Sequence, residues 1–367
     1  MKIILLANTD WYLYNFRLPL AVALRDCGHE VLLLSPPGRY VDLLKKAGFG
    51  WRSMPIERKG TNPLVELSAI VRLARIYRET RPQVVHHFTI KPVLYGSIAA
   101  RLAGVHHVLN AITGLGHVFT DGKTATRVVR TIVKILYRTS LGGTIVIFQN
   151  TDDRELFLDQ DLLKVDQTHL IAGSGVNLKR FAPTPEPAGT PVIILPGRLL
   201  VTKGVEDFVS AARQINRDGS KARFVLVGDV DPENPSSITM PVLDTWQKEG
   251  IIEWWGWHDD MDQIYARSNV VCLPSFYGEG LSRTLLEAAA SGRACMATDI
   301  PGCRGIVRNN ENGFLVQARD VQAIVKALTT LIEQPGMRYQ MGIRGRQIVE
   351  QNYSEQLIVE QTLRLYP

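Results

Sequence analysis

Two α/β domains, each a doubly wound parallel sheet with helices on both faces, are predicted by three observations. The chain has 367 residues, more than a single hydrophobic core usually serves. Apolar runs of strand length alternate with stretches of helical spacing along it. Residues 181–191, rich in proline and glycine, separate two such series and read as an interdomain linker.

In the first series, residues 3–7 read as a buried strand. Residues 16–27 carry helical spacing through Phe16, Leu20, Ala23 and Leu24 until Gly28 stops it. A second strand, 31–34, is closed by Pro36-Pro37-Gly38. Helices 41–47 and 64–80, strand 84–88, helix 93–102 and strand 107–111 follow, the last leading into Thr113-Gly114-Leu115-Gly116-His117. The second series offers strand 192–195, helix 205–216, strand 223–227, helix 242–248 and strands 251–255 and 269–274. It continues through helix 283–291, strand 293–298 and helix 321–333, and the chain closes on a helix at 354–365. The expected domains are residues 1–185 and 186–351, with 352–367 packing back on the first.

Composition narrows the class of protein. No stretch approaches the roughly 20 apolar residues that span a bilayer. Residues 1–8 are too short for a signal-peptide core. Cys27, Cys272, Cys295 and Cys303 have neither paired nor metal-ligand spacing, which suits a reducing, cytoplasmic setting. Residues 1–180 hold 24 Lys and Arg against 14 Asp and Glu, whereas the remainder is mildly acidic. A basic first half is compatible with nucleic acid, an anionic membrane or a phosphorylated substrate. Within it, Lys123, Arg127, Arg130, Lys134 and Arg138 recur every three or four residues among Val128, Val129, Ile132, Ile135 and Leu136. That is a basic amphipathic helix, either an ordinary surface helix or a membrane-surface contact.

The stretch richest in chemistry is Phe276-Tyr277-Gly278-Glu279-Gly280-Leu281-Ser282-Arg283-Thr284-Leu285-Leu286-Glu287. A turn follows strand 269–274, Ser282 is placed to cap the next helix, and Gly292 ends it. The free N–H groups and partial positive charge of such a junction can hold an anion. Glu279 in the loop and Glu287 inside the helix can each accept hydrogen bonds from hydroxyls. Arg198 and Lys203 follow strand 192–195, at the sheet edge where open α/β folds bind ligands, and can neutralise a diphosphate without a metal. Asp229-Val230-Asp231 is an acidic triplet of the kind that grips a metal–nucleotide, but Asp231-Pro232 also begins a turn. With two cations at hand, no metal is expected. Gly114-Leu115-Gly116-His117 is a truncated dinucleotide fingerprint, and it seeds one rival reading, a nicotinamide-dependent dehydrogenase. A basic nucleic-acid-binding module is another. Neither accounts for the spacing of residues 197–313.

That spacing carries a resemblance. Gly197-Arg198-Leu199…Lys203-Gly204, Val225-Leu226-Val227-Gly228, Gly256-Trp257, Pro274-Ser275…Glu279-Gly280…Glu287-Ala288…Ser291-Gly292 and Ala297-Thr298-Asp299…Gly302-Cys303-Arg304…Asn312-Gly313 resemble the C-terminal half of family 4 retaining glycosyltransferases of the GT-B fold. Gly173-Ser174-Gly175-Val176-Asn177…Phe181 is similar to the family segment before the linker. The Gly-Glu-Gly-Leu-Ser-Arg form and Thr113-Gly114-Leu115-Gly116 resemble the bacterial subgroup that adds hexoses or hexosamines to polyprenyl-diphosphate-linked sugars. The resemblance implies two Rossmann-like domains with an interdomain cleft, and a role in surface polysaccharide assembly such as lipopolysaccharide O-antigen. It also implies a UDP-sugar donor, with UDP-N-acetylgalactosamine preferred, and a polyprenyl-diphosphate-linked sugar acceptor. A peripheral enzyme at the cytoplasmic face of an anionic membrane follows, with neither metal nor nucleic acid. Another nucleotide sugar or a soluble acceptor is the alternative.

Carried over by residue, the resemblance puts Arg198 and Lys203 on the donor diphosphate, Glu287 on the ribose and Glu279 on the transferred sugar. It puts the backbone N–H groups of Gly280, Leu281 and Ser282 on the phosphates, and Gly197, Gly228, Gly256 and Trp257 around the nucleotide. Where many relatives have a glycine pair after the first strand, this chain reads Asn8-Thr9-Asp10-Trp11-Tyr12, so Asn8 and Trp11 are expected to shape the acceptor side. Gly114, Gly116, His86 and His87 are expected there too, and His117 is a candidate catalytic group.

Overall fold

The computed structural model describes residues 1–54, 56, 62–114, 127–276 and 280–367. They form two units, residues 1–174 with 355–367, and residues 175–354. Each is built on one sheet, and every paired strand runs parallel to its neighbour.

The first sheet consists of β1 (Lys2–Leu6), β2 (Glu30–Ser35), β3 (Gly50–Ser53), β4 (Val84–Phe88), β5 (His107–Ile112), β6 (Ile145–Phe148) and β7 (Thr168–Leu170), in spatial order β3-β2-β1-β4-β5-β6-β7. Ile3 sits between Val31 on one side and Val84 on the other. Its side chain and that of Leu5 enter one core, while Ile4 and Leu6 enter a second core on the opposite face. A strand buried on both faces has no polar side to show, which is why residues 3–6 read as an unbroken apolar run.

The second sheet consists of β8 (Val192–Pro196), β9 (Arg223–Val227), β10 (Glu253–Gly256), β11 (Val270–Leu273), β12 (Ala294–Thr298) and β13 (Gly313–Val316), in order β10-β9-β8-β11-β12-β13. In both sheets the winding reverses beside the first strand, between β1 and β4 and between β8 and β11. The carboxyl ends of those strand pairs are the topological switch points, where open α/β sheets bind ligands.

Three points depart from the sequence reading. Residues 16–27 are not one helix: Thr9 caps a single turn, Asp10–Tyr12, which widens into a π-helical segment, Leu13–Arg17, before the α-helix Leu18–Asp26. Pro19 lies in the first turn of that last helix, where its missing N–H costs no bond, so the helix restarts there. Nor is the proline-rich run a linker. Arg293, only 1% exposed, donates to the carbonyls of Tyr265 (2.8 Å) and Thr184 (2.9 Å). Glu186 accepts from Arg338 (2.8 Å) and Asn269 (2.9 Å), and Asn269 also bonds the Pro187 carbonyl. Prolines lack N–H groups but keep their carbonyls, and buried donors strap this run onto the second unit. The boundary therefore falls between residues 174 and 175, ahead of the expected 185, and the return to the first unit comes after 354 and not 351. A third difference is the helix Pro335–Asn352, which lacks a clear apolar stripe. Its Gly342 lies directly against the Gly292 carbonyl, where a side chain could not fit.

Candidate active site

At the switch point of the second sheet, the loops leaving β8 and β11 are bonded together. The N–H of Phe276 (3.1 Å) and the hydroxyl of Ser275 (3.2 Å) both donate to the Thr202 carbonyl, and the Thr298 hydroxyl holds the Ser275 carbonyl. Gly204, at φ +75°, stands so close to the Pro274 carbonyl that a Cβ would overlap it. The loops after β8, β9 and β10 also stack: Gly197 N–H donates to Val227 (2.8 Å), Leu199 to Asp229 (3.0 Å) and Gly228 to Gly256 (2.7 Å). The Trp254 indole N–H bonds the Gly228 carbonyl at 2.8 Å. Gly228, at φ +130°, faces the Gly197 carbonyl with no room for a side chain. These contacts fix the backbone from which the predicted binding groups project.

Arg198 and Lys203 both rise from the β8 loop, Lys203 at the end of the turn Val201–Lys203. Arg198 Nη1 pairs with Asp231 at 3.0 Å, and both side chains remain partly exposed. Asp231 N–H is fixed in turn by the Ser237 hydroxyl (2.8 Å). The last acid of the Asp229-Val230-Asp231 triplet is therefore the partner of the predicted diphosphate-binding arginine, a relation invisible from their separation in sequence.

Beyond β11, the helix Arg283–Ala290 starts as expected. Ser282 is its N-cap, accepting from Leu285 N–H at 3.4 Å. The N–H of Ser282, however, donates to the Gly302 carbonyl (3.0 Å). That N–H is directed at Gly302 here, and the Ser282 side chain serves the helix as its cap. Gly280 is buried and Leu281 packs partly into the core. Glu287 is nearly buried and held from two sides, by Arg283 Nε at 2.7 Å and by the Tyr265 hydroxyl at 3.3 Å. Burial and the Glu287 charge push the Tyr265 phenol well above its ordinary range, so it stays a donor. Arg283 also reaches the Gly175 carbonyl (3.2 Å). The i,i+4 spacing of Arg283 and Glu287 made that pair readable in advance; Tyr265, from another element, was not. Trp257 is half-exposed after β10, its indole N–H on Asp259 at 3.3 Å. Glu279 lies outside the described residues.

In the first unit the groups expected on one surface separate. Neighbours along a strand point to opposite faces, and so do His86 and His87. His87 has no exposed surface; Asn110 Oδ1 lies 2.8 Å from Nδ1 and the Tyr77 hydroxyl 2.9 Å from Nε2. An oxygen acceptor at Nδ1 and a hydroxyl at Nε2 fit the neutral ring protonated at Nδ1. Burial lowers its pKa to about 4. Gly96 presses on this ring, and Asn110 passes the network on to Ser97 and Thr144. His87 is a satisfied core residue and does not line an acceptor site. His86 is likewise buried, with Nδ1 on the Tyr366 hydroxyl at 2.8 Å and its protonation disfavoured by burial and by Arg17. Arg17, which sequence reasoning passed over, stacks 4.3 Å from the Phe88 ring centre and donates to the Tyr12 hydroxyl (2.8 Å). Asp10 accepts from the N–H groups of Trp11 (2.9 Å) and Tyr40 (2.7 Å), clamping the β1 loop to the β2 loop. Asn8 and Trp11 remain partly accessible at that edge, and Trp11 stands edge-on to Phe16 at 4.9 Å. Gly114 ends the described part of its loop at φ +134°. Gly116 and His117 lie outside the described residues.

Residues 2–150 match the model of the glycosyl transferase 4-like family, and residues 190–334 that of glycosyl transferases group 1. Over 100% of its length and 98% of the relative's, the chain is 27% identical to the N,N'-diacetylbacillosaminyl-diphospho-undecaprenol alpha-1,3-N-acetylgalactosaminyltransferase of Campylobacter jejuni. It is 26% identical to the UDP-Gal:alpha-D-GlcNAc-diphosphoundecaprenol alpha-1,3-galactosyltransferase of Escherichia coli, over 73% of this chain and 71% of the relative. Among solved structures, a glycosyltransferase from Rickettsia africae superposes with a TM-score of 0.80 at 21% identity, covering 100% of this chain and 97% of the other.

Proposed function

Because the chain belongs to the family 4 glycosyltransferases of the GT-B fold, we propose that it moves a hexose or N-acetylhexosamine from a UDP-sugar to a polyprenyl-diphosphate-linked sugar, with retention at the anomeric carbon. The observation that supports this reading is that the loop bearing Arg198 and Lys203 and the loop leading to the Ser282-capped helix of Glu287 leave adjacent strands, β8 and β11, and are bonded to each other through the Thr202 carbonyl. Arg198 and Lys203 take the diphosphate, and Glu287, already pre-oriented by Arg283 and Tyr265, takes the ribose hydroxyls. Glu279 holds the transferred sugar. The acceptor hydroxyl forms its bond to the anomeric carbon on the face from which UDP departs. Its proton passes to the leaving phosphate oxygen, so no side-chain nucleophile and no metal are required. N-acetylgalactosamine is the preferred cargo, in line with the full-length similarity to the Campylobacter enzyme.

In this reading the acceptor is borne by a membrane. No helix among the described residues is long and apolar enough to cross one, and the basic first half suits a protein that works on an anionic surface.

The test is turnover by Lys203→Ala and Glu279→Ala proteins, read with a panel of UDP-sugars and short polyprenyl-diphosphate sugars by mass and NMR. Each substitution is expected to lower kcat at least about tenfold, or about 1.4 kcal/mol, with the fold intact. Unchanged turnover in both removes the assignment, and an axial-to-equatorial change at the product's anomeric carbon removes retention. Activity lost to EDTA and restored by Mn²⁺ would overturn metal independence.

A further inference from the structure

The helix Pro63–Thr80 buries Leu73, Ala74, Ile76 and Tyr77 in the same core as β4's Val85. Its outer face is polar only in part. Leu64, Leu67 and Val71 recur at i, i+3 and i+7 and are 77%, 57% and 52% exposed, a stripe rather than scattered single residues. They border a groove of about 740 Å³ whose wall also includes Arg52, Arg72 and Arg75. The acids of this helix are already neutralised: Glu79 pairs with Arg52 (2.7 Å), and Glu66 turns to Lys91 (2.6 Å). Arg72 and Arg75 have no carboxylate partner among the described residues. The surface is thus apolar along one line and positive beside it.

We propose that this face docks on an anionic lipid surface, with Leu64, Leu67 and Val71 entering the acyl boundary and Arg72 and Arg75 holding lipid phosphates. Long arginine stems can lie along the apolar stripe while their guanidinium groups stay at the headgroups. Charge complementarity selects this occupant. Apart from the Ser68 hydroxyl, which is turned to the Val65 carbonyl, the stripe has no side-chain hydrogen-bonding group to fix the register of a folded partner. What remains is recognition by apolar depth and sign of charge. The inference rests on the membrane-borne acceptor proposed above. It differs from the sequence reading, which offered residues 123–138 as either an ordinary surface helix or the membrane contact, and of which 123–126 lie outside the described residues.

Sedimentation of the full chain with phosphatidylcholine vesicles, and with the same vesicles carrying about one-third phosphatidylglycerol, tests it. Wild type is expected to pellet with the anionic vesicles and remain in solution with the neutral ones. Arg72→Gln/Arg75→Gln should weaken partitioning about tenfold at low salt, and Leu64→Ser/Leu67→Ser/Val71→Ser at least about fivefold. Lys134→Gln/Arg138→Gln, on the exposed side of the helix Arg127–Leu141, should leave it unchanged. Thermal melts and turnover on a water-soluble acceptor, both unchanged, show that the variants are folded. If the triple variant does not fold, the arginine pair still decides.

Equal pelleting of wild type and the Arg72/Arg75 variant overturns the proposal. So does loss only in the Lys134/Arg138 variant, or self-association abolished by the serine substitutions, which would give the face to a second copy. Vesicle binding is read without turnover. A protein that binds anionic vesicles as described but transfers no sugar refutes the proposed function alone, and an active one that ignores these substitutions refutes only this inference.

Discussion

Arg198 and Asp231 hold each other at 3.0 Å where the donor diphosphate is proposed to sit. A partly exposed pair of this kind contributes little stability, but it orients the guanidinium and competes with the phosphate for it. Asp231→Asn is therefore expected to tighten UDP binding about threefold while Arg198→Ala weakens it at least tenfold, both read by calorimetric titration. Equal affinities in wild type and Asp231→Asn would show that the pair does not gate the site. His87 makes a second residue-scale prediction. Its pKa is about 4 in the fold and near 6.5 when unfolded, so between these values the unfolded chain binds the extra proton. Its contribution to stability is complete above pH 6.5 and is lost as pH falls toward 4, amounting to about 1 kcal/mol between pH 7 and 5.5. Asp153, raised to about 6 by burial, acts with the opposite sign over part of that range. Comparing pH-dependent melts of wild type and His87→Gln isolates the histidine, and parallel curves would refute its role.

Among the loops and strands, the binding edge depends on backbone proximity. Gly204 and Gly228 combine a positive φ with a carbonyl where a Cβ would stand, whereas Gly189, at φ +90°, has open space around it. Gly228→Ala is expected to destabilise the second unit by at least about 2 kcal/mol and to abolish UDP binding, while Gly189→Ala costs about 1 kcal/mol and spares binding. Urea melts and UDP titration separate them. The Arg293 strap has the same dependence on neighbours: Arg293→Met removes the donor of the part-buried Thr184 carbonyl and leaves the Tyr265 carbonyl buried without its donor. A loss of about 3 kcal/mol is expected from this change.

For the chain as a whole, the division at 174/175 and 354/355 makes a prediction about excision. Residues 175–354 are expected to fold alone and bind UDP, since they include the strap and Val176, whose N–H bonds the Tyr353 carbonyl at 2.9 Å. Residues 186–351 lack Val176, Tyr353 and the Thr184 acceptor of Arg293, and should melt well below them by circular dichroism. Residues 355–367 return Ile358 to the core shared by Ile3 and Leu5, and they bring the Tyr366 hydroxyl to His86. Their removal should destabilise the first unit and leave the second unaffected.

What the sequence determined by itself was everything carried by short-range pattern. The buried strands, the cap at Ser282, the stop at Gly292 and the placement of Arg198, Lys203 and Glu287 just after strands of one βα series were all legible, because strand period, capping and motif spacing act within a few residues. The π-helical turn at Leu13–Arg17 and the helix Pro335–Asn352 were not: the first depends on how the chain re-enters a helix at Pro19, and the second on glycines that meet another segment's backbone. Tertiary structure alone decided that Asp231 belongs to Arg198, that Tyr265 steadies Glu287, that the Ser282 N–H is directed at Gly302, and that His87 is core. Those assignments join residues from different elements. A hydrogen bond or ion pair is set by distance and direction in space, which one-dimensional spacing does not encode.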